Sequence, residues 1–414
     1  MIPFTEALRI LLEEVAPLGP ERVLLDAALG SFLSEDLVAD ADMPRFNNSS
    51  VDGYGVAVAE VASASAGNPV CLQVAGVVAA GTPWPGTLPA GASLRIMTGA
   101  PVPTGVEAVV MREYALEDHG DQGVVHLTRG AKPGENIRPR GGEVLAGTRL
   151  LSKGTCVTPP VAALLAGAGR THAQVHALPR VRILITGNEL APPGEPLAPG
   201  QIYDSNGVGL KAAVKALGIS DVATAYCEDD ASATRAALES ALLGADVVVS
   251  SGGVSVGDFD FVPGAFESLG GVRSFWKVAM KPGKPNYFGC WDRPGGGRAL
   301  FFGLPGNPVG ALLSFERLVR PALLGLMGCR HAPPRAFRAR LKAGLEKPAG
   351  RLEWVRGILG VRDGSPEVTP IDKRESHMLS GLAQADCLIA FPAEAERLEA
   401  GTAVEIHLLD WRVR

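Results

Sequence analysis

No C-x-x-C pair occurs anywhere in the 414 residues; Cys71, Cys156, Cys227, Cys290, Cys329 and Cys387 stand singly. That spacing excludes a zinc knuckle or dithiol redox pair, argues against a disulfide framework, and points to a reducing, cytoplasmic setting. Aromatic residues are scarce at 6%, and the five Trp and thirteen Phe form no stacking platform for bases, so they read as core. Neither sign of charge dominates: 39 Lys plus Arg face 44 Asp plus Glu, for a net charge of -5. Wholesale binding to nucleic acid or to an anionic membrane is therefore not expected. No apolar run approaches the ~20 residues of a bilayer span. The opening MIPFTEALRILLEEVAP lacks a basic leader and carries Glu6, Glu13 and Glu14, unlike a signal or transit peptide. G-x-G-x-x-G and G-x-x-x-x-G-K-[ST] are both absent, which removes dinucleotide and P-loop assignments. No Ser-His-Asp setting supports serine hydrolase chemistry.

What the chain has in surplus is Gly (51) and Pro (32), the mark of many tight loops on ordered scaffolds. Leu8, Leu11, Leu12 and Val15 recur at helical spacing after Thr5, predicting a short amphipathic helix capped by Thr5. Residues 45–155 offer short apolar stretches between Gly, Pro and Asp turns, a β-domain texture. Thr158-Pro159-Pro160 then opens a second helix, expected to pack with the first. From 180 to 328 strand and helix patterns alternate, implying a largely parallel, doubly wound sheet covered on both faces. This stretch reads as strands VRILIT, VATAYC, DVVVSSG, VRSFWKVAM and ALFFGLPG, with a long last helix from Asn307. From about His331 the texture returns to β.

Ligands of parallel α/β sheets bind at the carboxyl ends of strands. The loops expected there are TGNEL (186–190), SSGGVSVGDFD (250–260), KPGKP (281–285) and LPGNP (304–308). Each alone reads as an ordinary turn, and LPGNP as helix chemistry with Asn307 as cap and Pro308 at the first helical position. Their convergence, with Lys281 and Lys284 beside Glu189, Asp258 and Asp260, points instead to a phosphate site that also holds a hard divalent cation such as Mg2+. In the β-domain, Asn47, Asn48, Ser49, Ser50 and Asp52 crowd more hydrogen-bonding groups than one turn needs. His172 and His176 stand four apart, but without a third ligand nearby they read as a surface or core pair.

Taken in order, PRFNNSSVDGYGV, IMTGAPVPTGVEAVVMRE, GENIRPRGGEV, ITGNEL, IYDSNG, SSGGVSVGDFDFV, MKPGKPNYFG, GLPGNPVGALLSFE and ESHMLSGLAQADCLIAFP closely resemble the molybdopterin molybdenumtransferase family, over nearly the whole chain. The resemblance implies four domains: an elongated one from 1–44 plus 147–178, an inserted β-domain at 45–146, an α/β domain at 179–330 and a C-terminal β-barrel at 331–414. It implies a homodimer with its active site between the α/β domain of one subunit and the β-domain of the other. The reaction implied is the final step of molybdenum cofactor synthesis, in which adenylylated molybdopterin and molybdate give the cofactor and AMP, with Mg2+ required. A molybdopterin adenylyltransferase and apo-molybdoenzymes are the protein partners implied.

Carried over motif by motif, the catalytic residues are Asp52, Thr98, Glu189, Asp258, Lys281 and Lys284, with Glu189, Asp258 and Asp260 as the metal-side carboxylates. The substrate-binding positions are Thr186, Gly187, Ser250, Gly252, Gly253, Ser255, Gly257 and Asp260 on the strand-end loops, Pro305, Gly306, Asn307 and Pro308 of LPGNP, and Arg356 and Ser376 beyond. Four positions depart from the family pattern: Asn47 and Asn188 where Asp is usual, Val51 for Met and Gly310 for Ser. A related adenylyltransferase is the nearest rival, but its G-G-T-G element followed by R-D is replaced here by GGVSVGDFD. A non-catalytic pterin-binding scaffold is the rival of another class; it would not need Asp52, Glu189, Asp258 and Asp260, all of which are present.

Overall fold

The computed structural model describes residues 1–116, 123–254, 260–330, 336–372, 375–409 and 411. The chain divides into two compact units, one of residues 1–35, 153–166 and 170–414, the other of 36–152 with 167–169.

In the first unit, α1 (Phe4–Glu13) buries Phe4, Ala7 and Leu11. The helix starts two residues earlier than Thr5 as a cap requires, because Pro3 takes the N-cap place and its carbonyl accepts from Ala7 N at 3.0 Å. The buried face of α1 joins the main core beside Phe315, Leu323 and Leu326, and Leu165 of the helix Pro159–Gly167 is not a member of that cluster. The apolar face of α1 thus docks on the α/β layer rather than on the second helix as expected. Residues 20–24 and 172–176 form an antiparallel ladder, with His172 and His176 both on its second strand.

The α/β layer runs β1 (Val181–Thr186), α2 (Asn206–Lys215), β2 (Val222–Cys227), α3 (Ala231–Gly244), β3 (Val247–Ser251), α4 (Val262–Ser268), β4 (Val272–Trp276), β5 (Met280–Lys281), β6 (Tyr287–Asp292), β7 (Arg298–Leu304), α5 (Pro308–Ser314) and α6 (Arg320–Leu326). Sheet order is β2-β1-β3-β7-β6-β4, with β2, β1, β3 and β7 parallel and β6 antiparallel to both neighbours. Strands β3 and β7 are buried along almost their whole length, which accounts for their continuous Val and Phe runs. Leu210 and Val214 of α2 and Leu313 of α5 join the core on one face, while Leu238 and Leu242 of α3 and Phe266 of α4 fill the other.

Strand β6 was not anticipated from the pattern. Its six residues lie between KPGKP and the turn around Gly295, Gly296 and Gly297, all at positive φ, and the hairpin with β7 makes them a strand. The last helix runs on from α5 to α6 through a π turn, Phe315–Val319, closed by Arg320 N to Phe315 O. Pro321 has no N–H for the Arg317 carbonyl, and the wider turn accommodates that gap.

Beyond the helix, β8 (Ala336–Leu341), β9 (Leu352–Arg362), β10 (Ser365–Pro370), β11 (Cys387–Phe391) and β12 (Ala403–Leu408) close a five-stranded barrel, β9-β10-β8-β12-β11 and back to β9. Strand β5 adds to it in parallel, pairing Lys281 with Glu353.

The second unit is a half-barrel sheet whose strands follow the order 108–111, 53–56, 92–96, 70–78, 123–127 and 115–116. Tyr54, Val56, Leu72 and Val110 fill one of its cores and Leu94, Ile96 and Val109 another. Among the described residues no helix is long and apolar enough to cross a membrane.

Candidate active site

Three of the four singled-out loops leave the carboxyl ends of adjacent parallel strands: TGNEL after β1, SSGG after β3 and LPGNP after β7. Gly252 (φ 90°) and Gly253 (φ 68°) turn left-handed, so the chain folds back directly over β1. A Cβ on Gly252 would stand 2.9 Å from both the carbonyl oxygen and the hydroxyl of Thr186. Asn206, at the start of α2, ties the loops together, donating to Ser251 Oγ at 2.9 Å and to Gly306 O at 2.7 Å. Gly252 N in turn donates to Leu304 O at 3.1 Å. The Oγ of Ser250 is fully buried without a hydrogen-bond partner among the described residues.

Glu189 is exposed, and its carboxylate lies over Gly187, where a Cβ would meet Oε2 at 2.7 Å. Asp260 is partly buried just ahead of α4. Ser255, Gly257 and Asp258 lie outside the described residues. Gly253-Val254-Ser255-Val256-Gly257 has the letters of a hydrolase elbow, G-x-S-x-G, but within the longer SSGGVSVGDFD motif. Among the described residues no three His, Cys, Asp or Glu side chains cluster as a metal cage. His176 Nδ1 lies 2.6 Å from the Leu18 carbonyl and His172 Nδ1 2.9 Å from Thr171 Oγ1.

The carboxyl-edge rule also selects a loop that the sequence reading passed over. Asp229 follows β2, and it exchanges hydrogen bonds with Asn188: Asn188 N donates to Asp229 Oδ2 at 3.1 Å and Asp229 N to Asn188 Oδ1 at 3.2 Å. The departure from Asp at 188 thus keeps a second carboxylate away from Asp229. Gly310 has an equally local reason, since a Cβ there would press on Pro305 at 3.3 Å.

KPGKP, expected at the same edge, instead follows β5 of the barrel sheet and packs against Ser314 at the end of α5. Gly283 (φ 104°) leaves no room for a side chain, with Met280 Cε and Ser314 Oγ each 2.8 Å from where its Cβ would be. Asn286 holds the loop to α5 through Ser314 Oγ at 2.9 Å and donates to the Gly283 carbonyl. Lys284 is exposed, while Lys281 Nζ sits 3.4 Å from Glu353 Oε1. Asn307 occupies the N-cap position of α5 without a side-chain capping bond, and Pro308 is at the first helical position as expected. The N–H of Val309 donates to the Ser376 carbonyl at 3.1 Å, and buried Arg356 reaches the Glu375 carbonyl at 3.5 Å. Burial lowers the Arg356 pKa, against the pull of Glu353 and Glu375. These bonds bring Arg356 and Ser376 of the C-terminal region to the LPGNP loop.

In the second unit, Asp52 Oδ1 accepts from both the backbone N–H and the hydroxyl of Thr98, each at 2.7 Å. Those two bonds hold the Asp52 carboxyl below its usual pKa, with Arg112 and Arg95 adding to the effect. Asp52, Val51, Met111, Arg112 and Glu113 line a cavity of about 480 Å³.

Comparison with known proteins covers the chain from end to end. Residues 2–169 match the MoeA N-terminal region (domain I and II), 182–325 the probable molybdopterin binding domain and 338–409 the MoeA C-terminal region (domain IV). Molybdopterin molybdenumtransferase 2 of Mycobacterium tuberculosis is 41% identical over 408 residues, covering 96% of this chain and 97% of the relative. The molybdopterin molybdenumtransferase of Haemophilus influenzae is 35% identical over 416 residues, covering 99% and 100%. The crystal structure of the molybdopterin biosynthesis MoeA protein from Pyrococcus horikoshii OT3 superimposes with a TM-score of 0.83 at 28% identity, covering 99% of this chain and 100% of that one. With one family spanning every part of a fold whose strand-end loops converge in this way, the chain belongs to the molybdopterin molybdenumtransferase family and is a transferase.

Proposed function

We propose that this chain inserts molybdenum from molybdate into molybdopterin in molybdenum cofactor biosynthesis, taking adenylylated molybdopterin as substrate, requiring Mg2+ and releasing AMP. The observation that carries the reading is the bonded set of loops at the sheet edge, joined through Ser376 and Arg356 to the C-terminal region. The left-handed glycines let the backbone come close to a pyrophosphate, the Ser250 hydroxyl, partnerless among the described residues, lies just ahead of them, and Lys281, Lys284 and Arg356 suit a tetrahedral dianion.

Glu189 and Asp260 are hard oxygen donors of the kind Mg2+ takes, and one or two carboxylates suffice when substrate phosphates complete the shell. Asp258 joins them in the assignment from the family motif. Mg2+ bound by these carboxylates would supply charge neutralisation to the substrate phosphates. Thr186, Gly187, Ser250, Gly252 and Gly253 shape the pyrophosphate seat, Pro305 to Pro308 its adjoining wall, and Lys281 and Lys284 hold the oxyanion by charge-assisted hydrogen bonds. Thr98 holds Asp52 as an anion for its part in the reaction. The assembly proposed is a homodimer with the four-domain division given above, working in the cytoplasm beside a molybdopterin adenylyltransferase and apo-molybdoenzymes.

The test is AMP and active cofactor formed by purified protein from adenylylated molybdopterin, with molybdate and Mg2+ each supplied or omitted. Both products appear only with both present; nucleotide bound but never cleaved would leave the scaffold reading instead. Glu189→Ala is expected to abolish AMP release at native melting temperature, and chelation of Mg2+ to do the same reversibly. Light scattering checks the dimer.

A further inference from the structure

Glu353 is a carboxylate with no role in the family motifs above, yet it is 5% exposed at the start of β9. Lys281 is its ion-pair partner, and its charge also acts on Lys347 and Arg356. Lys281, its register partner on β5, places Nζ 3.4 Å away and stays 44% exposed in its side chain. Lys347 is 9% exposed; its ammonium lies 4.8 Å from the Phe391 ring centroid and donates to Ala393 O at 3.4 Å and Pro348 O at 3.5 Å. Burial lowers the Lys347 pKa, and Glu353 leads the carboxylates that oppose this, ahead of Glu394 and Glu396. Arg356 completes the set, with Glu353 again the leading opposing charge, ahead of Glu375.

A buried carboxylate strands its charge when its only counter-ion leaves. Glu353 escapes that penalty through Lys347, a more deeply buried cation whose ammonium lies over the ring of Phe391, the cross-strand partner of Glu353. Lys281, by contrast, is the outward partner and the one assigned to the oxyanion. We infer that Glu353 is a specificity-determining residue: a resident counter-ion that occupies Lys281 in the empty site and yields it to a tetrahedral dianion, while Lys347 retains the carboxylate. A monoanion offers Lys281 no more charge than Glu353 does and so gains little by exchange. A dianion does, so the arrangement selects by charge. The inference rests on the oxyanion role given to Lys281.

Equilibrium dialysis of the full-length protein against molybdate alone, with perchlorate as a competing monoanion, tests this without turnover. Glu353→Gln keeps the shape and one acceptor but removes the charge; molybdate should bind about three- to fivefold tighter, the scale of a partly exposed ion pair. Perchlorate should compete better than in the wild type, a change that mere loosening of structure would not produce. Lys281→Ala/Glu353→Gln should show no such gain over Lys281→Ala. Lys347→Gln provides the opposite sign: Glu353 then relies more heavily on Lys281, with only Arg356 beside it, and molybdate should bind about threefold weaker. Unchanged or weaker binding in Glu353→Gln at native melting temperature overturns the inference, as does indifference of Lys347→Gln. If Lys281→Ala binds molybdate like the wild type, the oxyanion role itself falls. If it weakens binding while Glu353→Gln changes nothing, only the counter-ion role is lost.

Discussion

A single methyl group separates Gly252 from failure. Its φ of 90° disfavours any other residue, and a Cβ would stand 2.9 Å from Thr186 O and Oγ1. Gly252→Ala should therefore destabilise the protein by about 1–3 kcal/mol and depress turnover with it. Gly306 is the control: only the Gly252 Cα comes near, at 3.8 Å, and Gly306→Ala should melt with the wild type in a urea titration. His407 gives a second residue-scale expectation. Burial, then the charge of Arg317, pull its pKa from 6.5 down to about 4, against the hydrogen bond to Glu405. The unfolded chain takes up its proton first as pH falls, so this contribution to stability is complete above about pH 6.5 and is lost between there and about pH 4. His407→Gln should flatten the dependence of the urea midpoint on pH across that window.

Among elements, α3 shows how far local chemistry sets a boundary. Asp230 caps it with Oδ1 accepting from Ser232 N and Ala233 N, both at 2.9 Å. Asp230→Ala should cost about 1 kcal/mol in chemical denaturation. The alternating pattern from 180 to 304 was readable because strands such as β3 are buried on both faces and carry uninterrupted apolar runs. Strand β6 was not, since its pairing with β7 depends on a distant partner rather than on its own composition. The strand-end loops were legible through their Gly, Lys and carboxylates, whereas Asp229 was passed over because its loop carries no glycine and resembles a helix cap. The place of Arg356 and Ser376 came only from the family motif, because the bonds that bring them to α5 join segments far apart in sequence.

On the scale of the whole molecule, two units with separate cores imply separable cooperativity. Calorimetry should resolve more than one transition. Leu94→Ala, in the second unit, should shift one of them by an amount matching about 2–5 kcal/mol, and Leu313→Ala, in the first, a different one. A single transition moved equally by both would show that the units melt as one. The N-terminal helix adds a matter of timing. Residues flanking its start bond to the chain near Val278, with Ile2 N donating to Lys277 O at 3.1 Å and Ala279 N to Ile2 O at 2.7 Å. At about 5–20 residues per second a ribosome needs on the order of tens of seconds to travel from one to the other. During that interval Phe4, Ala7 and Leu11 lack the partner surface that buries them, so this helix waits for a much later stretch of chain, and its apolar face is the natural target for a chaperone on the nascent chain.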